Sequence, residues 1–154
     1  MNGRRTAGAV AGALVAGLGL TAMMMAGEKK TRKASELTDL GRASAHRLGV
    51  RQVPAGKRLP SAEEQAVVQG GHLLLSALAG VAYAAATDED AGVVGSGVAF
   101  GLAFYGVAHW LTGPLLGVKQ PEWQSDMGTI GMHAANHVAF GLATAAGARL
   151  AART

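Results

Sequence analysis

The chain has 154 residues, enough for one domain, with fourteen Lys and Arg against ten Asp and Glu and a net charge of +4. It has no cysteine, which excludes a disulfide framework, thiol catalysis and any Cys-based metal site. Spread over a soluble surface, the positive surplus would suggest nucleic acid as a partner; nine of the basic residues instead crowd into residues 28–64, so nucleic acid is not expected.

Four stretches lack Asp, Glu, Lys and Arg altogether: 6–27, 65–87, 91–118 and 127–148. A helix crosses a bilayer core with about 20 mostly apolar residues, and each stretch is long enough. A soluble helix needs a charged or polar face, which none of the four has. The mean hydropathy is only +0.22 because one polar segment, 28–64, dilutes the rest. The expected fold is all-α: one membrane domain over 1–154, a bundle of four transmembrane helices with a single long basic loop.

The first stretch follows Arg4 and Arg5 and ends in Met23, Met24 and Met25. It reads as a first span, although the same pattern also suits a signal peptide or signal anchor. Gly8 and Gly12 give it a small-residue face for close helix packing.

The segment 28–64 carries Lys29, Lys30, Arg32, Lys33, Arg42, Arg47, Arg51, Lys57 and Arg58. The positive-inside rule places it in the cytoplasm, with both termini and the acidic turn Asp88, Glu89 and Asp90 outside. Ser35 is a candidate helix cap, followed by Leu37, Leu40, Ala43 and Leu48 toward one side. Flanked by basic residues, that stripe suits either an anionic lipid surface or an ordinary connector. Pro54 and Pro60 mark an extended piece before Ser61, Glu63 and Glu64 open the second span.

The second span holds His72 and Gly80. The third holds Gly97, Gly101, Tyr105 and His109, then Gly113, Pro114 and Gly117, where it is expected to kink or end. Trp110 and Trp123 fit an aromatic belt at that surface. Asp126 opens the fourth span, which carries His133, Asn136, His137 and Gly141. The glycines at small-xxx-small spacing imply a tight bundle, within one chain or between copies in a homo-oligomer.

At about 1.5 Å per residue, His72, His109, His133 and His137 lie roughly 9–15 Å from one interface, the cytoplasmic one. Buried polar groups at that depth face the bundle interior and find partners. The expectation is an inward cluster of His72, His109, His133, Asn136, His137 and Tyr105, with Glu64 and Asp126 at its mouth. Such a cluster suits handling of protons or a small solute, metal or haem binding, or hydrogen-bonded helix packing in a structural or partner-binding module. Met23 to Met25 would add soft ligands for copper. His133 and His137 share one helix and cannot pair across a haem, and the absence of the Glu in His-x-x-x-His excludes zinc-peptidase chemistry. No catalytic residue is expected.

The run "RLPSAEE", "HLLLSALAGVAYA", "GSGVAFGLAFYGVAHWLTGPLLGVKQPEW" and "HAANHVAFGLATA" resembles the YagU-like family of small bacterial inner-membrane proteins. The resemblance covers residues 59–146, with His72, Gly80, Gly101, Pro114, Gly117, His137 and Gly141 at matching positions. It implies a multi-pass helical protein of the bacterial cytoplasmic membrane and assigns no activity, cofactor or catalytic residue; His133 and the methionine run lie outside it.

Overall fold

The computed structural model describes residues 2–47, 49, 58–115, 117 and 119–153. Leu48, Arg51, Pro54 and Lys57, part of the expected stripe and basic segment, lie outside the described residues. The helices are α1 (Gly3–Thr31), α2 (Glu36–Arg47), α3 (Ala62–Ala86), α4 (Val93–Tyr105), a π-helical stretch (Gly106–Thr112), the single turn α5 (Gly113–Leu115), a 3-10 turn (Glu122–Gln124) and α6 (Met127–Ala151). Among the described residues there is no strand.

Helix starts follow the local chemistry of the chain. Asn2 accepts from the Arg4 and Arg5 amides at the head of α1. Ser61 and Glu64 form a reciprocal capping box at α3, and Asp126 accepts from the Thr129 amide at α6. Each satisfies backbone donors that a helix start leaves without partners. α1 runs one turn further than its uncharged stretch. Lys29 and Lys30 suit the negative end of its dipole, and Arg32 closes it in the left-handed region at φ 56°.

α6 lies between α1 and α4, and α1 lies between α6 and α3. Gly8 near the start of α1 meets Gly147 near the end of α6, and Arg5 of α1 reaches Thr87 just after α3. Successive long helices are therefore antiparallel. One end carries the acidic turn, the other α2 and the basic segment.

Gly and Ala make these contacts possible. A Cβ at Gly12 would overlap the Ala143 carbonyl, one at Gly101 the His137 carbonyl, and one at Gly80 would stand 2.7 Å from Val10 Cα. Gly97 and Gly141 face each other across α4 and α6. Six of the eight glycines expected in helix packing thus meet a neighbour within this one chain. Gly113 and Gly117 do not sit in a helix-helix contact of this kind: Gly113 abuts the Lys119 side chain, and Gly117, against the Arg47 guanidinium, supplies a turn at φ +63°, a conformation costly for residues with a Cβ.

Small residues fill the interior: Ala9, Ala13, Ala79, Ala84, Ala145 and Ala148 are buried, with Tyr83, Tyr105 and Phe140 as the large members. Val15, Leu18, Leu74, Leu78, Val94 and Leu102 face outward. A soluble protein hides its large aliphatic residues, whereas a bilayer-facing one packs small residues inside and exposes large ones to lipid. Among the described residues, three helical segments are long and apolar enough to cross a membrane: Gly3–Thr31, Ala62–Ala86 and Val93–Leu115. α6 matches them in length, but His133, Asn136 and His137 lower its hydropathy, and it is not one of that set. Its place between α1 and α4 lets protein rather than lipid surround those polar groups.

The third span ends as expected around Pro114, at Leu115, with Gly117 in a turn just after it. The seven residues before Gly113 widen into a π-helix, and the Gly113 amide bonds the Ala108 carbonyl, one position further back than in an α-helix. Proline has no N–H to donate and its ring crowds the carbonyl four residues earlier; a wider turn ahead of it relieves both. His109 sits in the middle of this stretch.

Candidate functional site

Glu122 is the centre of the site. It is wholly buried, held in the 3-10 turn between α5 and α6. Its Oε1 accepts from the Tyr105 hydroxyl at 3.0 Å and from His133 Nδ1 at 2.6 Å. Its Oε2 faces the Lys119 ammonium at 2.6 Å and His109 Nδ1 at 3.4 Å. The lysine is an ionic neighbour lying off the direction of a hydrogen bond, so Oε2 is buried with no hydrogen-bond partner among the described residues. A buried carboxylate persists only when paired this way.

Glu36, in the first turn of α2, joins from the opposite side. Its Oε2 receives His133 Nε2 at 2.9 Å, and its Oε1 meets the Lys119 ammonium. Lys119 Nζ is also 2.7 Å from His109 Nδ1. Three groups thus surround one ammonium: a carboxylate from α2, a carboxylate from the 3-10 turn, and an imidazole from the π-helix.

Both carboxylates are strong acids here. Burial raises the Glu122 carboxyl, but the adjacent Lys119 ammonium and the hydrogen bonds from His133 and Tyr105 outweigh it and bring it down to about 2. Burial likewise raises Glu36, and His133 and Lys119 overcome it to give about 2. Each is ionised throughout the physiological range.

The imidazoles gather edge-on and tilted behind this polar centre. His109 and His133 rings are 4.6 Å apart, His109 and His137 4.9 Å, and Tyr105 lies 5.5 Å from His137. His137 Nδ1 bonds back to the His133 carbonyl at 2.9 Å, the acceptor four residues earlier. Beyond His137 come Phe104 at 5.5 Å, then Phe100 and Phe140. The polar cluster opens toward α2 and is backed by an aromatic layer.

Of the residues singled out in the sequence, His109, His133, His137 and Tyr105 come together. His72 does not stack with them; it meets Thr21 of α1 at 3.2 Å, beside Gln69, which also bonds Thr21. Asn136 is half-buried, with no side-chain hydrogen bond among the described residues. The two expected mouth carboxylates are engaged elsewhere. Glu64 accepts from Arg42 at 2.6 Å and from Arg58 at 3.2 Å, fastening α2 to α3. Asp126 is exposed and caps α6 through Thr129. Glu122 and Glu36 fill the role assigned to them. Met23 faces outward, so the methionine run does not converge on the histidines as a unit.

α2 is the cap over this end. Besides Glu36, it is tied down by Glu28, a buried acid near the end of α1 that accepts from the Ser35 amide at 2.7 Å and the Thr38 hydroxyl at 2.8 Å. Ser35 in turn accepts from the Thr38 amide at 3.3 Å, as expected of a cap.

Glu36, His109 and His133 each offer a ligand atom, all within 4.8 Å of one another. Two imidazoles and a carboxylate form a donor set suited to a divalent first-row ion such as Zn2+, which three protein ligands bind with a fourth position open. Glu122 adds the support such sites need, because a carboxylate on one ring nitrogen fixes the imidazole and directs the other nitrogen to the ion. No protein-family profile, curated protein or solved structure matches the chain.

Proposed function

We propose that this is a YagU-like protein of the bacterial cytoplasmic membrane that crosses it four times, with α6 as the fourth span, and binds a divalent transition-metal ion at its α2 end. The convergence of Glu36, His109 and His133 from α2, the π-helix and α6, backed by Glu122, carries this reading. The basic segment and α2 face the cytoplasm under the positive-inside rule, and α1, wedged between α3 and α6, acts as a retained span. The exposed Lys29, Lys30, Arg32 and Lys33 favour contact with anionic lipid.

The small solute handled by the histidines is on this reading a metal ion, held at one side rather than passed through. Phe104, Phe100 and Phe140 form an apolar layer beyond His137, which disfavours onward passage of a proton or hydrated ion. Haem fits poorly, because imidazole rings 4.6–4.9 Å apart leave no room for a macrocycle between them. The role is binding, not catalysis.

Titrating the protein in nanodiscs with Zn2+ against a chromophoric chelator tests the reading. One ion per chain, lost in His133→Ala, is expected. Wild-type protein that holds no stoichiometric Zn2+ would overturn it.

A further inference from the structure

We propose that Lys119 is a built-in competitor for the metal, so that an ion enters the site only by exchange with its ammonium. This rests on the metal-binding reading above. The Lys119 Nζ contacts Glu36 Oε1, lies 2.6 Å from Glu122 Oε2 and 2.7 Å from His109 Nδ1. A metal bound by Glu36 and His109 must stand about 2.0–2.2 Å from a ligand atom of each. The ammonium, in contact with Glu36 Oε1 and with His109 Nδ1, occupies space between those two ligands. Two cations cannot share it, since like charges a few ångströms apart repel strongly in a partly buried setting.

Charge sets the class of ion that wins. Glu36 and Glu122 place two negative charges around the position, balanced by Lys119 and by His133, whose two ring nitrogens both donate to these carboxylates; a metal that takes His133 Nε2 therefore displaces the ammonium and releases the imidazole proton to solvent. A monovalent ion would only repeat what Lys119 supplies without its tether. A divalent ion neutralises both carboxylates and gains imidazole nitrogens, donors that suit it and that alkali ions do not favour. The exchange therefore discriminates by charge before ligand preference enters.

The structure also provides a place for the displaced side chain. Lys119 lies between Gly117, the positive-φ turn residue, and Pro121. It borders an open groove of about 390 Å³ lined by Pro114, Gly117, Gln120 and Pro121. Rotation into that groove takes the ammonium to solvent while the carboxylates stay in place. Metal loading is thereby coupled to a change at the 117–121 surface, next to the exposed Glu36, where a partner or a second ion could sense it.

Two measurements on full-length protein in nanodiscs test the exchange. Lys119→Met is expected to bind Zn2+ at least 10-fold more tightly than wild type, while Lys119→Arg, which keeps a cation there, is expected to gain nothing. In wild type itself, which needs no altered fold, Zn2+ is expected to speed acylation of Lys119 by an amine-reactive reagent as its ammonium leaves the site. Wild type that binds Zn2+ with unchanged or slowed Lys119 labelling would overturn the exchange and leave the metal site standing, as would equal affinity in a folded Lys119→Met. Failure of wild type to bind Zn2+ would overturn both.

Discussion

Replacing Glu122 by glutamine probes the buried centre with almost no change in shape. The amide oxygen can still accept from Tyr105 and His133, now 3.0 and 2.6 Å from Oε1. The amide nitrogen, however, would face the Lys119 ammonium across a 2.6 Å contact, donor against donor. Removing one member of a buried ion pair costs about 3–5 kcal/mol, and the lower figure applies because Lys119 keeps Glu36. For a chain of this size that corresponds to a fall in melting temperature of about 6–12 °C, at about 2–4 °C per kcal/mol. The assay is thermal unfolding in detergent with chelator present, followed by circular dichroism. Lys119→Met added to Glu122→Gln is expected to restore much of the loss, because it removes the stranded charge. A single variant within about 2 °C of wild type, or a double variant no better than the single, would refute the picture of Glu122 and Lys119 as a buried, mutually dependent pair.

Other outcomes follow from the same structure. Glu36 and Glu122 are held near 2, below the ordinary carboxyl value of 4.5, so their contribution is complete above about pH 5 and is lost as pH falls from there through 2; melting temperatures in chelator, measured from pH 7 to 3, should be flat and then fall, and a rise on acidification would contradict the sign. Gly101→Val should lower stability by about 1–3 kcal/mol or more, because its Cβ meets the α6 backbone, whereas Gly95→Ala, with open space around it, should be tolerated; equal melting temperatures for the two would deny the close α4 and α6 contact. The chain lacks cysteine, so His46→Cys and Glu89→Cys can be labelled singly in cells; an impermeant thiol reagent is expected to reach the second and not the first, and the reverse would invert the topology.

Much of the helical framework could be read from charge-free stretches and capping residues, because both signals are local. Ser61 with Glu64, and Asp126 before α6, mark their helix starts whatever the tertiary setting. The glycine contacts were legible as spacing; Gly147, four residues from Ala143 and from Ala151, fits the same pattern and pairs with Gly8, though it was not among the glycines singled out. The site was half legible. Depth along each span brought His109, His133 and His137 to one level, because helical rise converts sequence into distance. Glu122 and Glu36 escaped notice because helical periodicity says nothing about a short turn or where a cap helix folds back. Lys119, an isolated basic residue outside the 28–64 segment, carries no pattern that marks it as part of a site. His72 fell outside because its depth is right but its helix, α3, packs chiefly against α1, where the ring meets Thr21.

X-ray absorption at the zinc edge of protein loaded with one Zn2+ per chain in nanodiscs tests the metal centre most directly. The account predicts a first shell of nitrogen and oxygen at about 2.0–2.2 Å with outer-shell scattering from two imidazoles, dropping to one imidazole in His109→Ala. A shell without imidazole scattering, or one unchanged by that substitution, would contradict it.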